Sequence, residues 1–250
     1  MRFVRFAVAI LAGAIAAVAS DVVRADETNV AVAANFTEPA KEIARLFESR
    51  TGHKAILSFG ATGQFYVQIS EAAPFQVFLS ADQGTAKKLV DDGLAVGDSL
   101  FTYAVGKIVV FSKDPGLVTG EETLRDAKFN KIAVANPKTA PYGAAAVEAM
   151  KALGVYEKLS GKIVQGSNIS QTFQFVDTGN AEIGFVALSQ VIGIPGGSRW
   201  IVPANLYAPI RQDAVLLKIG ADNAAAQDFI AFLKGPEAAA VIERFGYATK

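Results

Sequence analysis

Along almost the whole chain, short apolar runs alternate with helical patterns that keep their apolar residues on one face, and no repeat or low-complexity tract breaks the series. That alternation predicts an α/β fold, in which strands are joined by crossover helices. Residues 29–34 read as a buried strand, and Asn35-Phe36-Thr37-Glu38-Pro39 supplies cap candidates and a first-turn proline for the helix that follows. This helix buries Ile43, Leu46 and Phe47 and stops at Thr51-Gly52. Residues 54–59 give a second strand, Gly60-Ala61-Thr62-Gly63 leads into a helix with Phe65, Ile69 and Ala72 on one face, and residues 77–79 give a third strand. A helix over 83–92 ends at Gly93. A second unit opens with one long strand expected over 103–111, followed by strands at 131–135, 162–165 and 182–186 and helices over 143–153 and from Asn168 onward. A strand over 214–219 and two helices separated by Gly235-Pro236 close the chain.

The N-terminus adds a compartment. Met1-Arg2-Phe3-Val4-Arg5 precedes an apolar run over 6–19, with small-residue exits at Ala17-Val18-Ala19 and Val23-Arg24-Ala25. A basic start, a short apolar stretch and an A-x-A-like end describe a secretory signal peptide, shorter than the roughly 20 residues of a membrane-spanning helix. Residues 1–25 are therefore expected to be removed, leaving Asp26 as the mature N-terminus; a retained anchor is the competing reading, weakened by the alanine content of the run. The chain has no cysteine, which excludes a disulfide framework, a Cys-based metal site and a lipid-modified N-terminal cysteine. A freely diffusing exported protein stays with the cell only in an enclosed space, so the periplasm is the expected location. Loss of residues 1–25 takes three arginines and one aspartate from 24 basic and 24 acidic residues and leaves a net charge near −2. No basic run points to nucleic acid, and no basic amphipathic face points to a membrane surface.

Reactive groups are few. His53 is the sole histidine and is expected in a solvated Thr-Gly-His-Lys turn. There is no G-x-S-x-G elbow, P-loop or G-x-G-x-x-G, and the acidic pairs Asp91-Asp92 and Glu121-Glu122 read as solvated surface. No catalytic residue is assigned, and no enzyme is expected. What the chain offers instead, twice in each half, is a strand, a small or polar loop and a helix start. The unpaired N–H groups of a first turn, with about half a positive charge from the macrodipole, favour anions. In an open parallel sheet these starts lie at the carboxyl ends of the strands, where ligands bind. A single such start is an ordinary capped helix, but two from each half can close on one anion.

The residues also carry a resemblance. Val30-Ala31-Val32-Ala33-Ala34-Asn35-Phe36-Thr37, Leu57-Ser58-Phe59-Gly60-Ala61-Thr62-Gly63 and Ala73-Pro74-Phe75-Gln76-Val77-Phe78-Leu79-Ser80-Ala81-Asp82 resemble the periplasmic molybdate-binding proteins of ABC importers. Ala135-Asn136-Pro137, Glu182-Ile183-Gly184-Phe185-Val186 and Leu233-Lys234-Gly235-Pro236-Glu237-Ala238-Ala239 extend it over residues 28–250. The resemblance implies an α/β, two-lobed type II periplasmic binding protein fold with a hinge and an interlobe cleft. Lobe one is expected over 26–103 and 210–250 and lobe two over 104–209. Carried over by position, the molybdate contacts fall on Asn35 and Thr62 in the first lobe and on Tyr142 and Ile169 in the second. Many members place a small residue at the Tyr142 position and a tyrosine at the Ala187 position; here the two are reversed, which implies that the Tyr142 hydroxyl stands in for the missing one.

The implied cargo is molybdate or tungstate, a ligand rather than a cofactor, and the implied partner is an inner-membrane ABC permease that receives it from a monomer. A fully ionised tetrahedral dianion only accepts hydrogen bonds, so neutral donors suffice. Phosphate carries a proton near neutral pH and needs a carboxylate acceptor, for which Glu38 and Asp82 are the nearby candidates, with first-turn and helix-cap roles as their ordinary readings. Sulfate or another small anion on the same scaffold, and a secreted α/β enzyme, are the competing functions.

Overall fold

β1 (Glu27–Ala33) is the spine of the first sheet, and Val30, Ala31 and Val32 are all fully buried, as an apolar run covered on both faces requires. The computed structural model describes residues 26–249, so the expected signal peptide lies outside the described residues. β1 pairs in parallel with β2 (Lys54–Gly60) on one side and β3 (Val77–Leu79) on the other. β4 (Phe101–Gly106) forms the far edge, separated from β3 by an antiparallel strand that comes from much later in the chain.

The second sheet repeats this plan. β5 (Ile108–Ser112) lies antiparallel between β8 (Ile183–Ala187) and β9 (Ser198–Ile201), while β6 (Ile132–Ala135) runs parallel to β7 (Ile163–Gly166) and β8. β10 (Ile210–Leu216) then returns to the first sheet and is its antiparallel strand. The orders β2-β1-β3-β10-β4 and β7-β6-β8-β5-β9 are therefore the same arrangement twice, and in each the antiparallel strand is the one that arrives from the other sheet.

The helices in chain order are α1 (Thr37–Thr51), α2 (Thr62–Ser70), α3 (Gln83–Asp91), α4 (Glu121–Asp126), α5 (Pro141–Ala152), α6 (Tyr156–Ser160), α7 (Ile169–Asp177), α8 (Leu188–Val191), α9 (Ala224–Leu233) and α10 (Pro236–Arg244). On one face of the first sheet Val30, Val32, Ile43, Phe47, Phe229 and Ile242 form a single core, and on the other Phe65, Phe78, Leu89 and Val215 form a second. None of the described helices is long and apolar enough to cross a membrane.

Two expectations are corrected. The long strand over 103–111 is two strands in different sheets, broken at Lys107. The break has local causes: the Leu188 N–H donates to the Lys107 carbonyl at 3.0 Å, and a Cβ on Gly106 would lie 2.0 Å from the Tyr142 hydroxyl, so the backbone turns where another element occupies the side-chain space. His53 is buried, not solvated. Its Nδ1 accepts from the Asp26 N–H at 3.0 Å, its Nε2 lies 3.3 Å from Asp228 Oδ2, and its ring stacks on Phe47. It ties the start of β1 to α9.

Phe47 also meets Phe229 and Phe232 edge-on at 5.2 and 5.8 Å between centroids. Phe47→Ala is expected to cost about 3–5 kcal/mol of unfolding free energy in urea titrations. Phe59→Ala, at a side chain 37% exposed, is expected to cost under about 1 kcal/mol.

Candidate functional site

The carboxyl ends of β1, β2, β6 and β7 point toward one another, and the chain leaves each of them through a helix start. After β1 comes a short 3-10 turn, Ala34–Phe36; after β2, α2 begins at Thr62; α5 begins at Pro141; and α7 begins at Ile169. Between them lies a small cavity that Asn35, Thr62, Tyr142, Asn168 and Ile169 help to line. The structure thus brings all four residues expected from sequence to one cavity. None of the residues lining it carries a charged side chain.

The donors are mostly main chain. No side chain caps the first turn of α2 or α5, and at α7 the Asn168 Oδ1 takes only the N–H of Gln171, at 2.9 Å. The N–H groups of Thr62, Tyr142 and Ile169 sit in first turns, where the helix itself supplies no acceptor. Thr62 adds a hydroxyl. Its oxygen accepts from the Ala81 N–H at 3.0 Å, which leaves its proton for another acceptor. Burial pushes the Tyr142 hydroxyl well above its ordinary pKa of 10.0, so it stays protonated.

The Asn35 side chain is committed within the protein: its amide nitrogen lies 2.7 Å from Gln212 Oε1 and 3.0 Å from the Tyr247 hydroxyl. The Asn35 side chain is therefore not a free donor toward the cavity. Tyr142 Oη lies 3.3 Å from Gln212 Nε2 and 3.5 Å from Asn35 Nδ2. Gln212, Tyr247, Tyr103 and Ser189 were not singled out from the sequence. The strand expected over 214–219 is observed at Ile210–Leu216, so Gln212 falls outside the expected strand and carries no strand signal, and Gly106 marks the place where the Tyr142 hydroxyl sits.

Neither carboxylate weighed from the sequence serves the cavity. Glu38 is exposed and pairs with Lys41 at 2.7 Å. Asp82 caps α3, accepting the Thr85 N–H at 2.5 Å. The two sides are held together across the cleft: the Gly63 N–H donates to the Thr139 carbonyl at 2.9 Å, Ser170 Oγ to the Ala34 carbonyl at 3.2 Å and Ser189 Oγ to the Asn35 carbonyl at 2.8 Å.

A family model described as bacterial extracellular solute-binding protein matches residues 28–248. The chain belongs to that family. It is 56% identical over 226 residues to the molybdate-binding protein ModA of Rhodobacter capsulatus, covering 90% of each chain, and 54% identical over 247 residues to ModA of Azotobacter vinelandii, covering 97% and 96%. The solved periplasmic molybdate-binding protein of Azotobacter vinelandii superposes with a TM-score of 0.86 at 39% identity, over 89% of this chain and 99% of that one. These relatives are molybdate-binding proteins and not enzymes, and the family fits a fold in which helix starts surround the cavity.

Thr62→Val leaves the buried Ala81 N–H without its acceptor and is expected to lower stability by about 1–3 kcal/mol in chemical denaturation. Asp82 gives a pH-dependent expectation. Burial raises its pKa, so the folded chain holds the proton more tightly than the unfolded one, and the charged carboxylate opposes folding at neutral pH. Asp82→Asn keeps a capping oxygen without the charge. It is expected to raise the melting temperature at pH 7, with the gain shrinking as pH falls through the Asp82 titration, in melts run from pH 3 to pH 7.

Proposed function

We propose that this protein captures molybdate, with tungstate as an equivalent cargo, in the periplasm and delivers it to an ABC permease of the inner membrane. The observation that carries the reading is a small uncharged cavity on which first-turn N–H groups converge from both sheets. An anion there meets donors without an opposing carboxylate, and a fully ionised tetrahedral oxyanion needs nothing else. Hydrogen bonds to a charged group contribute about 1.5–3 kcal/mol each, so some six to eight of them offset desolvation and closure and leave strong binding.

In this reading the lobes comprise about 26–103 with 210–250 and 104–209, a division that the presence of two five-stranded sheets supports. The anion is held by main-chain N–H groups at Asn35, Thr62, Tyr142 and Ile169 and by the hydroxyls of Thr62 and Tyr142. The Tyr142 ring comes from the second lobe and its hydroxyl reaches the first, so closure and capture are one event. The ratio of sequence identity to the molybdate-binding relatives, above half over nearly the whole chain, supports molybdate over sulfate. A monomer of two lobes supplies every contact that the reading requires.

Calorimetric titration with molybdate, tungstate, sulfate and phosphate tests it. Molybdate and tungstate are expected to bind tightly, sulfate weakly and phosphate not at all. Molybdate at 100 times its dissociation constant should add about 2.7 kcal/mol to stability. Tyr142→Phe is expected to weaken molybdate about 10- to 150-fold. An unchanged melting temperature in millimolar molybdate overturns the assignment of the ligand, and wild-type affinity in Tyr142→Phe removes the hydroxyl from the site.

A further inference from the structure

Gln212 is fully buried on β10, between exposed Arg211 and buried Asp213, at the point where the pairing of β10 with β4 shifts register. Its side chain reaches three groups from different parts of the chain. Oε1 accepts from Asn35 Nδ2 at 2.7 Å and lies 3.2 Å from the Tyr103 hydroxyl, and Nε2 lies 3.3 Å from the Tyr142 hydroxyl. Nothing in the binding reading above uses it.

The directions of these bonds follow from groups that cannot reverse. The Asn35 main-chain carbonyl can only accept, and it receives Ser189 Oγ at 2.8 Å and the Tyr247 hydroxyl at 2.7 Å. With its single proton shared between the Asn35 carbonyl and Ser189 Oγ, which lies 2.9 Å away, the Tyr247 oxygen accepts from the Asn35 side chain at 3.0 Å, which makes the Asn35 amide nitrogen the group facing it. The second proton on that nitrogen goes to Gln212 Oε1, so Gln212 turns its Nε2 to Tyr142. The Tyr142 oxygen then accepts from Gln212, so Tyr142 must donate its own proton, to the neighbouring Tyr247 hydroxyl while the cavity is empty and to an anion once one is bound. The chain of five groups sets the direction in which Tyr142 donates.

We propose that Gln212 is a positioning residue for anion capture, whose buried amide forces the Tyr142 hydroxyl to present its proton to the bound oxyanion. The proposal rests on the reading that the Tyr142 hydroxyl contacts the anion. It gives the site a built-in polarity: an acceptor at position 212 would draw the Tyr142 proton away from the cavity, whereas a donor there turns it in. Gly106 completes the device, because a Cβ there would meet both the Tyr142 hydroxyl, at 2.0 Å, and Gln212 Nε2, at 2.9 Å.

A double-mutant cycle tests this. Molybdate affinity is measured by calorimetry for the wild type, Tyr142→Phe, Gln212→Met and the double variant. Gln212→Met alone is expected to weaken binding about tenfold, but to change it less than about twofold in the Tyr142→Phe background, where no hydroxyl remains to be oriented. Equal losses in the two backgrounds assign Gln212 a general structural role and overturn the proposal. Wild-type affinity in Gln212→Met together with weak binding in Tyr142→Phe overturns it while leaving the anion contact intact. Wild-type affinity in Tyr142→Phe instead overturns the contact itself.

Gln212→Glu is the second variant, since it preserves shape if the methionine fails to fold. The ionised carboxylate is an acceptor only, so molybdate should bind at least tenfold more weakly than to wild type at pH 8. A protonated carboxyl both accepts and donates, as the amide does, so the ratio to wild type should recover as pH falls toward 5. A ratio independent of pH overturns the proposal.

Discussion

A buried N–H group without an acceptor costs about 1–3 kcal/mol, and in this protein several of them are aimed at one small space. The first turns of α2 and α5 have no side-chain cap, and that of α7 is capped only in part. These are donors that a purely structural helix would satisfy within the protein or with solvent. Their convergence is what gives the cavity its positive character without a single lysine or arginine in its lining. A site built this way binds through fixed dipoles, and its donors are set by backbone geometry instead of flexible side chains.

The repeated sheet plan makes that convergence possible. Each sheet presents the carboxyl ends of its parallel strands toward the other, because the antiparallel strand of each is contributed by the chain segment crossing over. The crossing at Lys107 and the return at β10 also bring the polar network to the junction: Tyr103 precedes the first crossing, Gln212 follows the second, and Tyr142 projects from the second sheet's side. A hydrogen-bonded cluster of this kind is costly if broken and well ordered if complete, which suits a position where two halves must meet in one geometry. The glycine at 106 is there for space, since any larger residue would collide with the tyrosine hydroxyl.

Charged groups near the cleft are kept to other work. Asp82 caps a helix, Glu38 sits in an exposed pair with Lys41, and the one histidine binds the start of β1 to Asp228 on α9. An acceptor facing the cavity would repel a fully ionised anion, so removing carboxylates from the lining is as much a part of selectivity as supplying the donors.

The sequence by itself determined the α/β alternation, most helix starts, and the four loop positions that come together, because periodicity and first-turn chemistry are local properties that a few neighbouring residues encode. It also carried enough similarity across residues 28–250 to imply the family. Only the tertiary structure decided that residues 103–111 divide between two sheets, that His53 is buried, and that the Asn35 amide faces Gln212 and Tyr247 instead of serving as a free donor. The physical reason is distance along the chain. Asn35 meets Gln212 and Tyr247 across separations of 177 and 212 residues, and Tyr142 meets Gln212 across 70. Local preference says that these residues can bond, but which partner each one finds, and which of the two donates, is fixed only when both sheets have packed.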